Sequence, residues 1–190
     1  MVLALFGITL CLFANVSFAA DWTPVFKTWE THAEDSDILR SVTYNPNVGW
    51  DDLHGWTTAG RPNPDSNDLV LIKKFDTSQL LHIPEPYHSD IILIEYESVY
   101  DTHIGNMKDT IYLQNATLYG LPITKIVDYG AEGEEMHTTI YFDKMSNAQY
   151  RSLKKIKLKH RHDDWCDGGH QAEFRKDKYN QVTLFFSQGC

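Results

Sequence analysis

The sequence predicts a mainly β fold, an antiparallel sandwich or an α+β sheet, with one or two short peripheral helices. Three observations carry this prediction: a succession of short segments rich in β-branched and aromatic residues, turn residues between them, and only two stretches with helix-start chemistry. In chain order the segments are LVLIKKF (69–75), IILIEYE (91–97), TIYLQ (110–114), ATLYG (116–120), ITKIVDY (123–129), HTTIYF (137–142), KIKLKH (155–160) and QVTLFF (181–186). Residues 91–94 are apolar at both parities, the pattern of a central strand covered on both faces. KIKLKH alternates, with Ile156 and Leu158 facing in and Lys155, Lys157 and Lys159 facing out, where lysine discourages edge-to-edge pairing. Thr23-Pro24 has the form of an N-cap followed by proline at the first helical position. It predicts a helix running toward Thr31, with a further turn or two around 36–42. Ser146 and Gln149 have the spacing of a capping box and predict a helix over MSNAQYRSLKK. TTAGRPNPDSND reads as an irregular surface loop.

The first nineteen residues carry no charged side chain. An apolar run from Val2 to Phe13 leads to Ser17-Phe18-Ala19, the small-x-small pattern of a signal-peptidase site. The run is shorter than the about 20 apolar residues a membrane span needs. The expectation is a signal peptide over 1–19, with cleavage after Ala19 or Ala20, and a single β-rich domain over 20–190. That domain is exported to the periplasm or the extracellular space and keeps no stable membrane span. Cys11 leaves with the leader, and an oxidising compartment pairs Cys166 with Cys190. A loop of that length is stabilised by roughly 3.5 kcal/mol in the chain-entropy picture, and the bond would pin the last residue.

Charge is distributed unevenly. Residues 21–149 have a balance of −13 and residues 150–190 a balance of +4, within a chain of net charge −9. A net acidic chain is not built for phosphate backbones, so nucleic acid is not an expected partner. The acidic body keeps an exported protein in solution and can attract a basic protein partner.

Two segments concentrate chemistry-bearing side chains. In KHRHDDWCDGGH (159–170), a strand continued by two residues would put His160 and His162 on one face. Asp164 or His170 would then close a zinc set across a turn at Gly168-Gly169. His160, His162 and Asp164 also resemble three positions of the HxHxDH motif of the metallo-β-lactamase superfamily. Trp165 stands where that motif needs a histidine for its second metal, and no activity is carried over. Cys166, if tied to Cys190, is removed from the ligand set, and Asp-Asp followed by Asp-Gly-Gly is also ordinary turn composition. In GWDDLHGW (49–56), Trp50 and Trp56 flank Asp51, Asp52 and His54, aromatics beside carboxylates that can stack on a glycan or grip a protein.

Glu132, Glu134 and Glu135 form an acidic loop without calcium-loop spacing. Asn115-Ala116-Thr117 fits a glycosylation sequon and reads as a turn. There is no GxSxG, HExxH, P-loop, GxGxxG or CxxC. The functional expectation is therefore a non-enzymatic exported binding protein, of the inhibitor or immunity type, acting on another protein or a glycan. The alternative is a zinc-binding protein or zinc-dependent hydrolase using His160, His162 and His170.

Overall fold

The computed structural model describes residues 19–39, 56–62, 69–75, 83–100, 105–131, 136–163 and 166–188. These form the mainly β fold with short helices that the segment pattern predicts. The strands are β1 (Trp56–Pro62), β2 (Leu69–Phe75), β3 (Ile91–Tyr100), β4 (Gly105–Leu113), β5 (Thr117–Leu118), β6 (Leu121–Ala131), β7 (Met136–Phe142), β8 (Arg161–Asp163), β9 (Cys166–Lys176) and β10 (Val182–Gln188). The helices are α1 (Thr23–Phe26), α2 (Thr28–Thr31), α3 (Tyr87–Asp90) and α4 (Asn147–Leu153), with a further helical turn at 37–39.

One antiparallel sheet runs in the order β1-β2-β3-β4-β6-β7-β10-β9-β8, with the short β5 pairing β6 beside it. The chain builds it by successive hairpins as far as β7. It then leaves through α4, re-enters at β8, and returns through β9 to β10, which closes onto β7. Helix α4 begins as its composition demands. Ser146 Oγ accepts from the Gln149 N–H at 3.3 Å, and the Gln149 side chain accepts from the Ser146 N–H at 2.8 Å.

Period 2 divides the sheet into two faces. On one face the register aligns Ile94, Ile111, Ile126, Ile140, Leu184 and Phe174 across six strands. The two short N-terminal helices lie over this row. Trp22, Val25, Phe26 and Trp29 are all fully buried, and Trp29 stacks on Phe186 at 4.5 Å. Each such side chain contributes about 1.5–3 kcal/mol by leaving water. Two further ties hold the N-terminal segment. The Thr117 N–H donates to the Ala20 carbonyl at 2.8 Å and the Trp22 N–H to the Thr117 carbonyl at 2.7 Å. The Trp22 indole N–H donates to Asp90 at 3.0 Å. Among the described residues no helix is long and apolar enough to cross a membrane.

Several local expectations are corrected. The helix expected from Thr23 to Thr31 is two short helices meeting at Lys27. Its N-cap position is Trp22, and the Asp21 carboxylate accepts from the Thr23 N–H at 2.9 Å, so the capping oxygen sits two residues before Thr23. KIKLKH is not a strand: helical turns continue past α4, with the Ile156 N–H bonded to the Leu153 carbonyl. The segment then passes β9 with its backbone outside the ladder while Ile156 and Leu158 pack on the core. Trp56–Pro62, taken as loop, is strand β1, because it finds a full-length partner in β2. Ile92 is 53% exposed, since a register shift between Ile91 and Leu93 turns it away from the sheet, so β3 is not covered throughout. Gly168-Gly169 makes no turn but lies inside β9, where Gly169 has φ +59.

Candidate functional site

The described structure covers only part of the residues expected to form sites. Trp50, Asp51, Asp52 and His54 lie outside the described residues, and Trp56 opens β1, paired with Phe75. His160 is exposed at the end of the segment leading into β8, and the backbone of His162 lies in β8. His170 sits in β9 opposite Arg161, with its Nε2 3.4 Å from the guanidinium and its ring 6.3 Å from that of Trp29. Asp164 lies outside the described residues, as do Glu132, Glu134 and Glu135. Among the described residues no three His, Cys, Asp or Glu side chains converge on one metal position. Cys166 opens β9, and Cys190 lies outside the described residues. Asn115 is exposed at a bend with φ +54, which bears out its reading as a turn.

A different arrangement stands on the sheet face opposite the N-terminal helices. Its central row reads Glu95, Thr110, Val127, Thr139, Phe185 and Glu173 in register. Thr110, Val127 and Thr139 are small and buried between two rows of larger side chains. On one side stand Tyr112, Lys125, Tyr141, Thr183 and Arg175, and on the other Lys108, Tyr129 and His137. The rings are half-buried. Tyr129 stacks on His137 at 4.8 Å, and His137 lies 5.4 Å from Phe185. Two cations lie over rings, Arg175 3.4 Å from the centroid of Phe185 and Lys125 4.4 Å from that of Tyr141. The Tyr112 hydroxyl donates to Glu95 at 2.8 Å, and burial leads the causes that push it up to about 12. Lys108 pairs with Glu97 at 3.2 Å. Lys108, Lys125 and Arg175 are thus balanced by Glu95, Glu97 and Glu173, and the face favours neither sign of charge.

Strands rather than loops carry this platform, and its sequence signal lies at the outward parity of TIYLQ, TIYF and LFF. Tyr112, Tyr141 and Phe185 stand at positions that alternate with Ile111, Ile140 and Leu184, where a solvent-facing strand ordinarily carries polar residues.

The helix-covered face holds a second unexpected feature. Asp109 and Asp128 are directly opposed across β4 and β6, in a row that continues to Tyr96 on one side and Thr138 on the other. Burial, and then the charge of Asp128, push the Asp109 carboxyl up to about 7. Burial also raises Asp128, to about 6, against the hydrogen bond it accepts from the Thr138 hydroxyl at 2.6 Å, and the charge of Asp35 adds to the rise. Asp35 in turn accepts from the Trp29 indole N–H at 2.9 Å. One oxygen of Asp109 is buried with no hydrogen-bond partner. Such a pair holds protons at mildly acidic pH, and its ionisation opposes folding.

Compared with protein-family models, with curated proteins and with solved structures, the chain matches none.

Proposed function

We propose that the chain is an exported, non-enzymatic binding protein that takes a protein or glycan partner on the sheet face bearing Tyr129, His137, Tyr141 and Phe185. One observation carries the reading: half-buried rings with cations laid over two of them, standing where strand residues are ordinarily polar. Tyrosine and arginine are the residues in which binding energy concentrates, and linked rings lose little freedom when a partner lands on them. The charges of the face cancel locally, so affinity rests on ring contact and salt changes it little. The acidic body of the chain then steers a basic partner from a distance.

Export is supported by the leader composition, with cleavage expected after Ala19 or Ala20. Ala20 is buried, and its carbonyl accepts from the Thr117 N–H. Cleavage after Ala19 keeps that bond, whereas cleavage after Ala20 removes its acceptor.

The test is chemical crosslinking in the native extracellular or periplasmic fraction, using wild type and a Tyr141→Ala/Phe185→Ala variant of matched thermal stability. Specific partners captured by wild type and lost with the variant are expected. Equal capture by both proteins would show that this face is not the binding surface.

A further inference from the structure

We infer that removal of the leader after Ala19 completes the fold: the α-ammonium created on Ala20 pairs with the buried carboxylate of Asp90, so the exported protein is more stable than its precursor. The inference rests on the export reading. Asp90 ends α3 and is 2% exposed, and Ala20 is equally buried. The Trp22 indole N–H donates to the Asp90 carboxylate at 3.0 Å. The Ala20 backbone N–H faces the same carboxylate as a second neutral donor.

The surroundings of this carboxylate lack a positive charge. Among the described residues no lysine, arginine or histidine forms an ion pair with Asp90. Burial raises its carboxyl above the ordinary carboxylate range against both hydrogen bonds, and the charge of Glu85 adds to the rise. Asp21 is a further negative neighbour, acting on Tyr87, whose ring meets Trp22 edge-on at 5.1 Å. His88, two residues from Asp90, lies 3.6 Å from Glu85. A carboxylate buried without a cation either takes up a proton or weakens the fold. While the leader is attached, the Ala20 nitrogen is an amide and carries no charge.

Cleavage turns that nitrogen into the missing cation, since an α-amino group is ordinarily protonated up to about pH 8. Backbone bonds hold both partners in place. The Thr117 N–H and hydroxyl donate to the Ala20 carbonyl at 2.8 and 3.1 Å, and the Gln114 N–H donates to the Asp90 carbonyl at 2.8 Å. Ala19 is exposed, so the chain passes from solvent into the core at the bond to be cut. Cleavage one residue later would put the ammonium on Asp21 and delete the carbonyl to which Thr117 donates twice. The carboxylate is out of water in precursor and product alike, so pairing adds only the desolvation of one amine. A hydrogen bond between two charged groups is roughly twice as strong as a neutral one.

Intact mass of the native protein separates this inference from the export reading. A first residue at Ala20 is expected. A first residue at Asp21 overturns the inference and leaves export standing, and an intact Met1 overturns both. Thermal unfolding at pH 7 then compares the exported protein beginning at Ala20 with a form that keeps Ala19 as its first residue, each with Asp90 and with Asp90→Asn. Ala19 is exposed, so the extra residue reaches solvent, and asparagine keeps an acceptor for the Trp22 indole. Retaining Ala19 is expected to lower Tm by about 5–10 °C with Asp90 present and to change it little in Asp90→Asn. Acetylation at limiting reagent gives a second readout: the Ala20 α-amine is expected to react about tenfold more slowly than it does in Asp90→Asn. Equal Tm with and without Ala19, an equal loss in both backgrounds, or equal acetylation rates would overturn the inference.

Discussion

Replacing Asp109 with asparagine tests the physical account of the opposed carboxyls. In the unfolded chain this carboxyl titrates at its ordinary 3.8, and in the folded chain at about 7. Between those values the native state binds a proton that the unfolded state has released. Stability contributed by the protonated form is therefore complete below about pH 4 and is lost as pH rises to about 7. At roughly 1.4 kcal/mol per pH unit, this gap has a ceiling of about 4 kcal/mol. Asp128, raised from 3.8 to about 6, loses stability in the same direction over a narrower window. The two share their mutual repulsion, so their contributions do not add.

Asp109→Asn keeps the shape and removes the charge. It is expected to stabilise the protein by about 2–4 kcal/mol at pH 8 and to change it little at pH 4. For a chain of this length that is a rise in Tm of roughly 5–15 °C at pH 8. The assay is urea unfolding followed by tryptophan fluorescence from pH 4 to pH 8, read as the difference between variant and wild type. A difference that stays constant with pH, or a variant no more stable than wild type at pH 8, refutes the account.

Other outcomes are equally definite. Trp29→Phe retains a ring against Phe186 but deletes the donor to Asp35, and is expected to cost about 1–2 kcal/mol in urea unfolding, whereas Trp29→Ala costs about 3–5. Ser146→Ala removes the N-cap of α4 and is expected to cost about 1 kcal/mol, with Ser146→Asp restoring most of it. Intact mass of the native protein is expected to place its N-terminus at Ala20 and, without reduction, to show no alkylatable thiol. An intact Met1 or two free sulfhydryls would remove the exported, disulfide-clamped reading. Elemental analysis after zinc exposure decides the histidine segment. Stoichiometric zinc lost on His160→Ala/His162→Ala supports the metal reading, and an empty protein ends it.

Local pattern made most of the sheet legible. LVLIKKF, IILIEYE, ITKIVDY and HTTIYF fall within strands, and TIYLQ and QVTLFF do so apart from Gln114 and Gln181, because β-branched and aromatic side chains on a two-residue period have one buried face to satisfy. The Ser146 and Gln149 capping box was equally readable, since both partners lie within one turn. Strand β9 was hidden by Asp167-Gly168-Gly169, whose turn composition masks the alternation of Ala172 and Phe174 with Glu173 and Arg175. KIKLKH erred in the opposite direction: its alternation is real and buries Ile156 and Leu158, but a strand also needs a backbone partner, and no periodicity supplies one. The aromatic loop and the histidine segment drew the site reading because their chemistry is contiguous in sequence. The platform is assembled from several separate elements.

The sequence by itself determined most of the segments that extend and where α4 begins. Those are decisions between residues a few positions apart. Tertiary structure alone decided that Asp109 faces Asp128, that Trp22 meets Asp90 across 68 residues, and that Tyr129, His137 and Phe185 form one surface. Register joins residues distant in the chain, and its energy comes from burying whole strands against α1 and α2. A carboxyl pair can therefore be carried into the sheet by the packing of its isoleucine neighbours, with no local preference of its own for being there.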